Sequence, residues 1–413
     1  MTSHQRARAP ALAREGLLLF GSILLGPAAA LAHERFVKHN LKYPLHYEFF
    51  ARWPGGPLGL HPDMVKIASR VATVLAAFFV VWFVRRPVTE LIERRLLRIG
   101  GPAQRALHKL ACFLTDRPVR GPIFHALGEW AVIAFLRSPG LVLMYSATND
   151  SLVMPSFPLD PASAQVFKFL QVALAILILT QTWLPLCGAM VVGTWLYLFR
   201  WGWMVAIDAV PVLTVAVVYL SSPWQSHKLP ITKINQEQMR WVRRILGVGF
   251  FALGWLKVYN HNLVAGVADN APSIMNDPMI GFFTGGTDTH YRRECWVIAF
   301  GLAEVMSGFM VTVGIFTRVW GTIMAFMFTK LMLVDFGWDE IPHIYPIAAL
   351  LAVVFSSQLT SEADPIEALD EAAWRQGHYF RRLVIVGGSA IVSAALVIFP
   401  LLYLISFFDR SGL

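Results

Sequence analysis

At 413 residues, with 56% hydrophobic side chains, only 15% charged ones and a net charge of +9, the chain is too apolar for an array of soluble domains. Its basic residues cluster in particular loops, as topology signals do, so no nucleic-acid partner is expected. Three cysteines, Cys112, Cys187 and Cys295, form neither CxxC nor CxxCH, which argues against a dithiol centre, a covalent haem or a cysteine-rich metal site.

Residues 1–32 begin basic and polar, continue through "GLLLFGSILLGPAAALA" and end in Ala30-Leu31-Ala32. A charged start, a short apolar run and a small-x-small end describe a signal peptide, the alternative being an N-terminal anchor. Cleavage after Ala32 would make His33 the first residue. Its amine and ring, with His39 and His46, would then form a nitrogen-rich set suited to copper(II). The plainer reading of 33–63 is an extracytoplasmic segment whose aromatics touch lipid headgroups.

Ten candidate spans follow, at about 64–84, 123–145, 164–184, 186–199, 203–221, 245–260, 295–315, 319–336, 343–358 and 383–407. The fourth and sixth are short for a bilayer that needs ~20 residues, and are expected to be tilted, broken or buried in protein. With residue 33 outside, alternation makes 85–122, 222–244, 316–318 and 359–382 cytoplasmic. Those loops hold 18 Lys and Arg against eight in the outer segments, which satisfies the positive-inside rule. The expectation is an all-α multi-pass protein of the bacterial inner membrane, in contact with lipid, its C-terminus extracytoplasmic. Two cytoplasmic stretches suit surface helices: "TELIERRLLRIGG", basic and amphipathic, and "DPIEALDEAAWRQG", which opens on a capping pattern and closes on Gly377.

The chain also repeats itself. Residues 201–222 align without a gap on 336–357, matching Gly202-Trp203 to Gly337-Trp338, Pro211 to Pro346 and Ser221-Ser222 to Ser356-Ser357. Upstream, at an offset of 133, Gly188 meets Gly321 and Gln171 meets Glu304. Two parallel four-helix units are expected, 123–222 and 245–358. They are flanked by the first span and its basic loop (64–122), a second basic loop (223–244), an amphipathic cytoplasmic helix (359–382) and a last span (383–413).

The second unit keeps the denser charge: Glu304, Arg318 and His343 stand where the first has Gln171, Pro185 and Asp208. Counting from the outer boundary places Glu304 and Lys330 roughly 13 and 9 Å deep, with Lys257 shallower. A buried pair of Glu304 with Lys257 or with Lys330 follows. Intramembrane ionisable groups either register helices or handle protons and anions. The loop around His290, Arg292 and Arg293, with Asp335 and His343, supplies candidate substrate-binding groups on the outer side.

At these residues a resemblance emerges. "RRILGVGFFALGWLKVYNH" followed by "EVMSGFMVTVGIFTRVWGTIMAF" resembles the DoxX/DoxD-like membrane family over about 240–358. Gly254 and Lys257 match a motif of its first helix, and Glu304, Gly308, Gly314, Thr317 and Arg318 match its second in order. The resemblance implies two tandem DoxX-like four-helix bundles and a role like that of the membrane subunits of thiosulfate:quinone oxidoreductase. The expected function is thus a quinone-linked oxidoreductase subunit acting on a small extracytoplasmic substrate, such as a sulfur oxyanion. Glu304, Lys257 and Lys330 would form its catalytic group. Quinone is the expected cofactor, and another membrane or extracytoplasmic redox protein the expected partner. Two alternatives stay open: a non-catalytic assembly or scaffold protein, and a transporter of small anions or metals.

Overall fold

The computed structural model describes residues 76, 79–91, 94, 101–114, 119, 121–149, 151, 164–199, 206–207, 209–223, 234–259, 290–335, 343–356, 369 and 372–388. These residues are overwhelmingly helical and form no sheet. Eight helices make the body: α1 (Pro122–Thr148), α2 (Ala164–Thr180), α3 (Leu184–Leu198), α4 (Leu213–Leu220), α5 (Gln236–Tyr259), α6 (His290–Val313), α7 (Thr317–Lys330) and α8 (Ile344–Phe355). Among the described residues, α1 alone is long and apolar enough to cross a membrane, while α2, α3 and α8 are shorter apolar helices of 17, 15 and 12 residues. The expected spans 64–84 and 383–407 lie largely outside the described residues, as do His33, His39 and His46.

Helix boundaries depart from the sequence expectation where proline or a polar start intervenes. Within the fifth expected span, α4 is preceded by a 3₁₀ turn, Val210–Val212, that holds Pro211. Helix α5 starts at Gln236, nine residues early, where the Asn235 and Gln238 side chains exchange capping hydrogen bonds with each other's backbone N–H at 2.8 and 3.0 Å. Helical structure also fills part of the expected cytoplasmic stretch 85–122, in a helix over 79–91 and another over Gly101–Leu114. At Gly377, φ of +67° and a bond from His378 N–H to Ala373 O end the helical turn as expected.

Helix α1 begins on Pro122 and runs through Pro139. Proline removes the hydrogen bond that Phe135 O would have received. Ser138 Oγ donates to that carbonyl instead, at 2.9 Å, and the Tyr219 hydroxyl donates to Leu136 O.

The elbows after α2 and α6 share one backbone form. Trp183 and Phe316, 133 residues apart, precede α3 and α7 with φ/ψ of 49°/43° and 50°/43°. Thr182 N–H donates to Leu177 O and Ile315 N–H to Met310 O, both at 2.9 Å, each pair again 133 apart. A left-handed conformation costs a residue with Cβ about 1 kcal/mol, so two such residues at matched positions mark a geometry the packing enforces.

The packing interlocks the two sets of four. Helix α8 lies antiparallel on α1: Phe355 approaches Phe124, Gly128 passes beneath Phe355 O, and Tyr345 lies 6.1 Å from Phe135, ring to ring. Helix α4 lies on α5 in the same manner, with Gln238 bonded to Ser221 Oγ at 2.6 Å and Gly249 against the Pro211 ring. The fourth helix of each set thus covers the first helix of the other. Between them, Tyr345 Oη donates to Pro211 O and touches the Thr214 hydroxyl.

Buried arginines satisfy helix ends. Arg243 donates to Val311 O and Thr312 O at the end of α6, Arg318 to Ser356 O beyond α8, and Arg85 to Leu114 O at the end of its helix. A cation at a helix C-terminus meets both the orphan carbonyls and the negative end of the dipole.

Candidate functional site: a buried ion pair

Four glycines set the geometry that makes the site. Gly247 and Gly254 of α5, seven residues apart, face Gly301 and Gly308 of α6, also seven apart. A Cβ on Gly254 would stand 2.5 Å from Val305 N, and one on Gly308 would stand 2.6 Å from Gly247 O. Two helices touching at backbone distance bring short and long side chains alike within reach across the seam.

Lys257, in the last turn of α5, therefore reaches Glu304 in the middle of α6. Its Nζ lies 2.6 and 2.7 Å from the two carboxylate oxygens. The Glu304 side chain is 1% exposed and that of Lys257 16%. Phe300, one turn before Glu304, presents its ring 4.7 Å from the ammonium. The cation is thus held by the carboxylate and by an aromatic face.

At the corresponding place on α2 stands an uncharged side chain, Gln171. Gln171, buried and 133 residues before Glu304, donates through Nε2 to Ser151 O at 2.9 Å. Gln171 itself carries no charge, whereas Lys257 and Glu304 form an ion pair.

Of the other expected residues, His343 joins this region: its ring stacks on Phe328 at 5.2 Å, and Phe328 meets Phe300 edge to face at 6.4 Å. Lys330 closes α7, half-buried, and the lysine that clasps both Glu304 oxygens is Lys257. Asp335 ends the π-helical turn Leu331–Asp335, and His290, Arg292 and Arg293 open α6; their side chains fall outside what is described. The motif residues prove architectural in their contacts. Gly254 and Gly308 set the α5–α6 seam, Gly314 has φ of +77° at the elbow, Thr317 is fully buried and Arg318 closes α8.

A cavity of about 110 Å³ lies beside the site and escapes sequence reasoning. Residues of both helix sets line it, among them Leu174, Val191 and Trp195 from one and Phe250, Phe328 and His343 from the other. Its walls come from positions up to two hundred residues apart, and no local pattern announces such a meeting. The one available signal was the matched pair Pro211 and Pro346, both of which line it.

No family model, curated protein or solved structure matches the chain.

Proposed function

We propose that the chain is a multi-pass membrane protein of two tandem DoxX-like four-helix units, and that it serves as a quinone-linked oxidoreductase subunit. Its substrate is a small extracytoplasmic molecule, such as a sulfur oxyanion. The observation that carries this reading is the Lys257–Glu304 pair, buried at a place where the first unit has an uncharged Gln171. An intramembrane carboxylate is expensive to keep, and keeping it in one of two equivalent places suggests a task beyond packing.

In this reading Lys257 positions the Glu304 carboxylate, which exchanges the proton, and Phe300 shields the pair on one side. Lys257 keeps a partly exposed edge, which offers a route for the proton. Quinone, when bound, supplies the redox chemistry; the chain's own groups supply the proton and the charge. The matched elbows at Trp183 and Phe316, the reciprocal α8–α1 and α4–α5 packing and the Gln171–Glu304 equivalence support the tandem-unit reading. Arg85, Arg243 and Arg318 all belong to the side assigned to the cytoplasm by the basic-residue count.

The closed geometry of the pair also favours a second reading, in which it registers α5 against α6 in a scaffold protein. Glu304→Gln separates the two. It keeps shape and hydrogen-bonding capacity but neither gives nor takes a proton. The expected outcome is assembly in the membrane at reduced yield, with thiosulfate-dependent quinone reduction lowered by ~10²-fold or more. Near-normal turnover in a folded Glu304→Gln protein would favour the scaffold.

A further inference from the structure

Three elements outside the eight-helix body are turned inside out relative to helices that meet water. In the helix over 79–91, Trp82, Arg85, Arg86 and Thr89 share the buried face, while Val80, Val84, Val88 and Leu91 lie 38 to 61% exposed on another. A surface helix in water shows the reverse pattern. In the helix Gly101–Leu114, Ala111 and Cys112 are buried and Ala103, Ala106 and Leu110 face outward. After Gly377, the helix over 379–388 buries Arg382 and Val386 and exposes Tyr379, Phe380, Leu383 and Val384.

The buried arginines lock these elements together. Pro87 has no N–H to offer Phe83 O, and Arg382 Nη2 donates to that carbonyl at 3.1 Å. The Arg382 guanidinium stands over the rings of Phe83 and Trp374, at 5.1 and 4.8 Å, and Trp374 Nε1 donates to Glu90 at 2.9 Å. Arg85 donates to Leu114 O at 3.0 Å and lies 4.4 Å from the Phe316 ring, at the elbow before α7. The result is one platform beside that elbow, whose exposed faces are apolar.

Its border is basic. Arg105 is exposed and Lys109 half-buried, four residues apart on one flank of the stripe formed by Ala103, Ala106 and Leu110, and Arg381 is exposed beside Phe380. The stretch 85–122 carries nine Lys and Arg against three Asp and Glu. An apolar strip edged by cations complements acyl chains lying beneath anionic headgroups. Water answers the cations but not the valines.

We infer that this platform lies in the surface of the bilayer and binds anionic phospholipid. The valines and Leu110 sit among acyl chains, and Arg105, Lys109 and Arg381 meet the phosphates. The inference rests on the multi-pass reading. It moves the lipid boundary on this side from residue 84, where the sequence alone put the end of the first span, to Leu91.

The test is site-specific photocrosslinking of the full chain in nanodiscs of equal parts phosphatidylcholine and phosphatidylglycerol. p-Benzoylphenylalanine replaces Leu110 or Val88 on the platform, or Phe169 on the exposed side of α2, and mass spectrometry reads which lipid is attached. Lipid adducts are expected at all three positions, with phosphatidylglycerol favoured about fivefold at Leu110 and not favoured at Phe169. Arg105→Gln combined with Lys109→Gln should remove that preference. Equal attachment of both lipids at Leu110 overturns the inference, as does a preference that survives the double substitution. Attachment of a second copy of the chain at Leu110 overturns it too, as does lipid at Phe169 with none at Leu110 and Val88. The multi-pass reading survives each of these results. Absence of lipid at Phe169 overturns that reading, and the platform with it.

Discussion

Glu304 and Gln171 precede the matched elbows at Phe316 and Trp183 by the same number of residues, and the difference between them is one ionisable group. Each receives or makes a hydrogen bond to a residue at or just beyond the end of the preceding helix, so the tie alone does not require charge. Removing one member of a buried pair leaves the other charge without its counterion, at a cost of ~3–5 kcal/mol when burial is complete. The partial exposure of Lys257 lowers that figure, because solvent reaches the ammonium. Placing the acid in the other unit should therefore not restore what Glu304→Gln loses. The double variant Gln171→Glu, Glu304→Gln is expected to stay inactive in the same quinone-reduction assay, since Gln171 Nε2 donates to a backbone carbonyl, Ser151 O, that a carboxylate would not satisfy. Recovered turnover in the double variant would show that the two places are interchangeable. Ser138 makes a second residue-scale case. Ser138→Ala should lower stability by about 1 kcal/mol, read from thermal unfolding in detergent, because Phe135 O would lose the donor that substitutes for Pro139.

Among the elements, the α5–α6 seam decides whether the pair can form. Gly308→Val would drive a side chain into the backbone of Phe251 and Gly247, and overpacking of this kind typically costs 1–3 kcal/mol or more. The expected outcome is a lowered unfolding temperature together with loss of activity, as the helices separate and Lys257 no longer reaches Glu304. Gly193 of α3 is the matched control, because nothing lies within 4 Å of a Cβ built there. Gly193→Ala should leave stability unchanged or raise it by up to ~1 kcal/mol through helix propensity. An equal effect of both substitutions would mean that close helix approach does not govern the seam. Of the seam glycines, Gly254 and Gly308 were visible in the sequence as motif residues, and Gly247 and Gly301 were not. Their function as spacers was not, because spacing along one helix says nothing about which neighbour it touches.

For the whole molecule, the proposed topology follows from charge: 18 basic residues in one set of loops and eight in the other. Impermeant thiol labelling from the outer face is expected to reach a cysteine introduced within 270–290 and to miss one within 225–240. The reverse pattern would invert the topology and move the proposed substrate side with it. The reciprocal packing adds a further expectation. Because α8 covers α1 and α4 covers α5, separately expressed halves split at 223–233 should be recovered together and not as independent bundles, a result that co-purification reads directly.

The sequence by itself determined the all-α character, the approximate places of eight central helices and the candidacy of Glu304 and Lys257. These are periodic or compositional features, set by local burial of apolar side chains and by the expense of charge among them. Tertiary structure decided the rest. It selected Lys257 as the residue clasping Glu304, gave Arg318 a carbonyl at the end of α8, laid the fourth helix of each set on the first helix of the other and opened a cavity where Pro139, Pro211 and Pro346 converge. Each of those outcomes depends on which faces of distant helices fit together, and helix spacing fixes a face but not its partner.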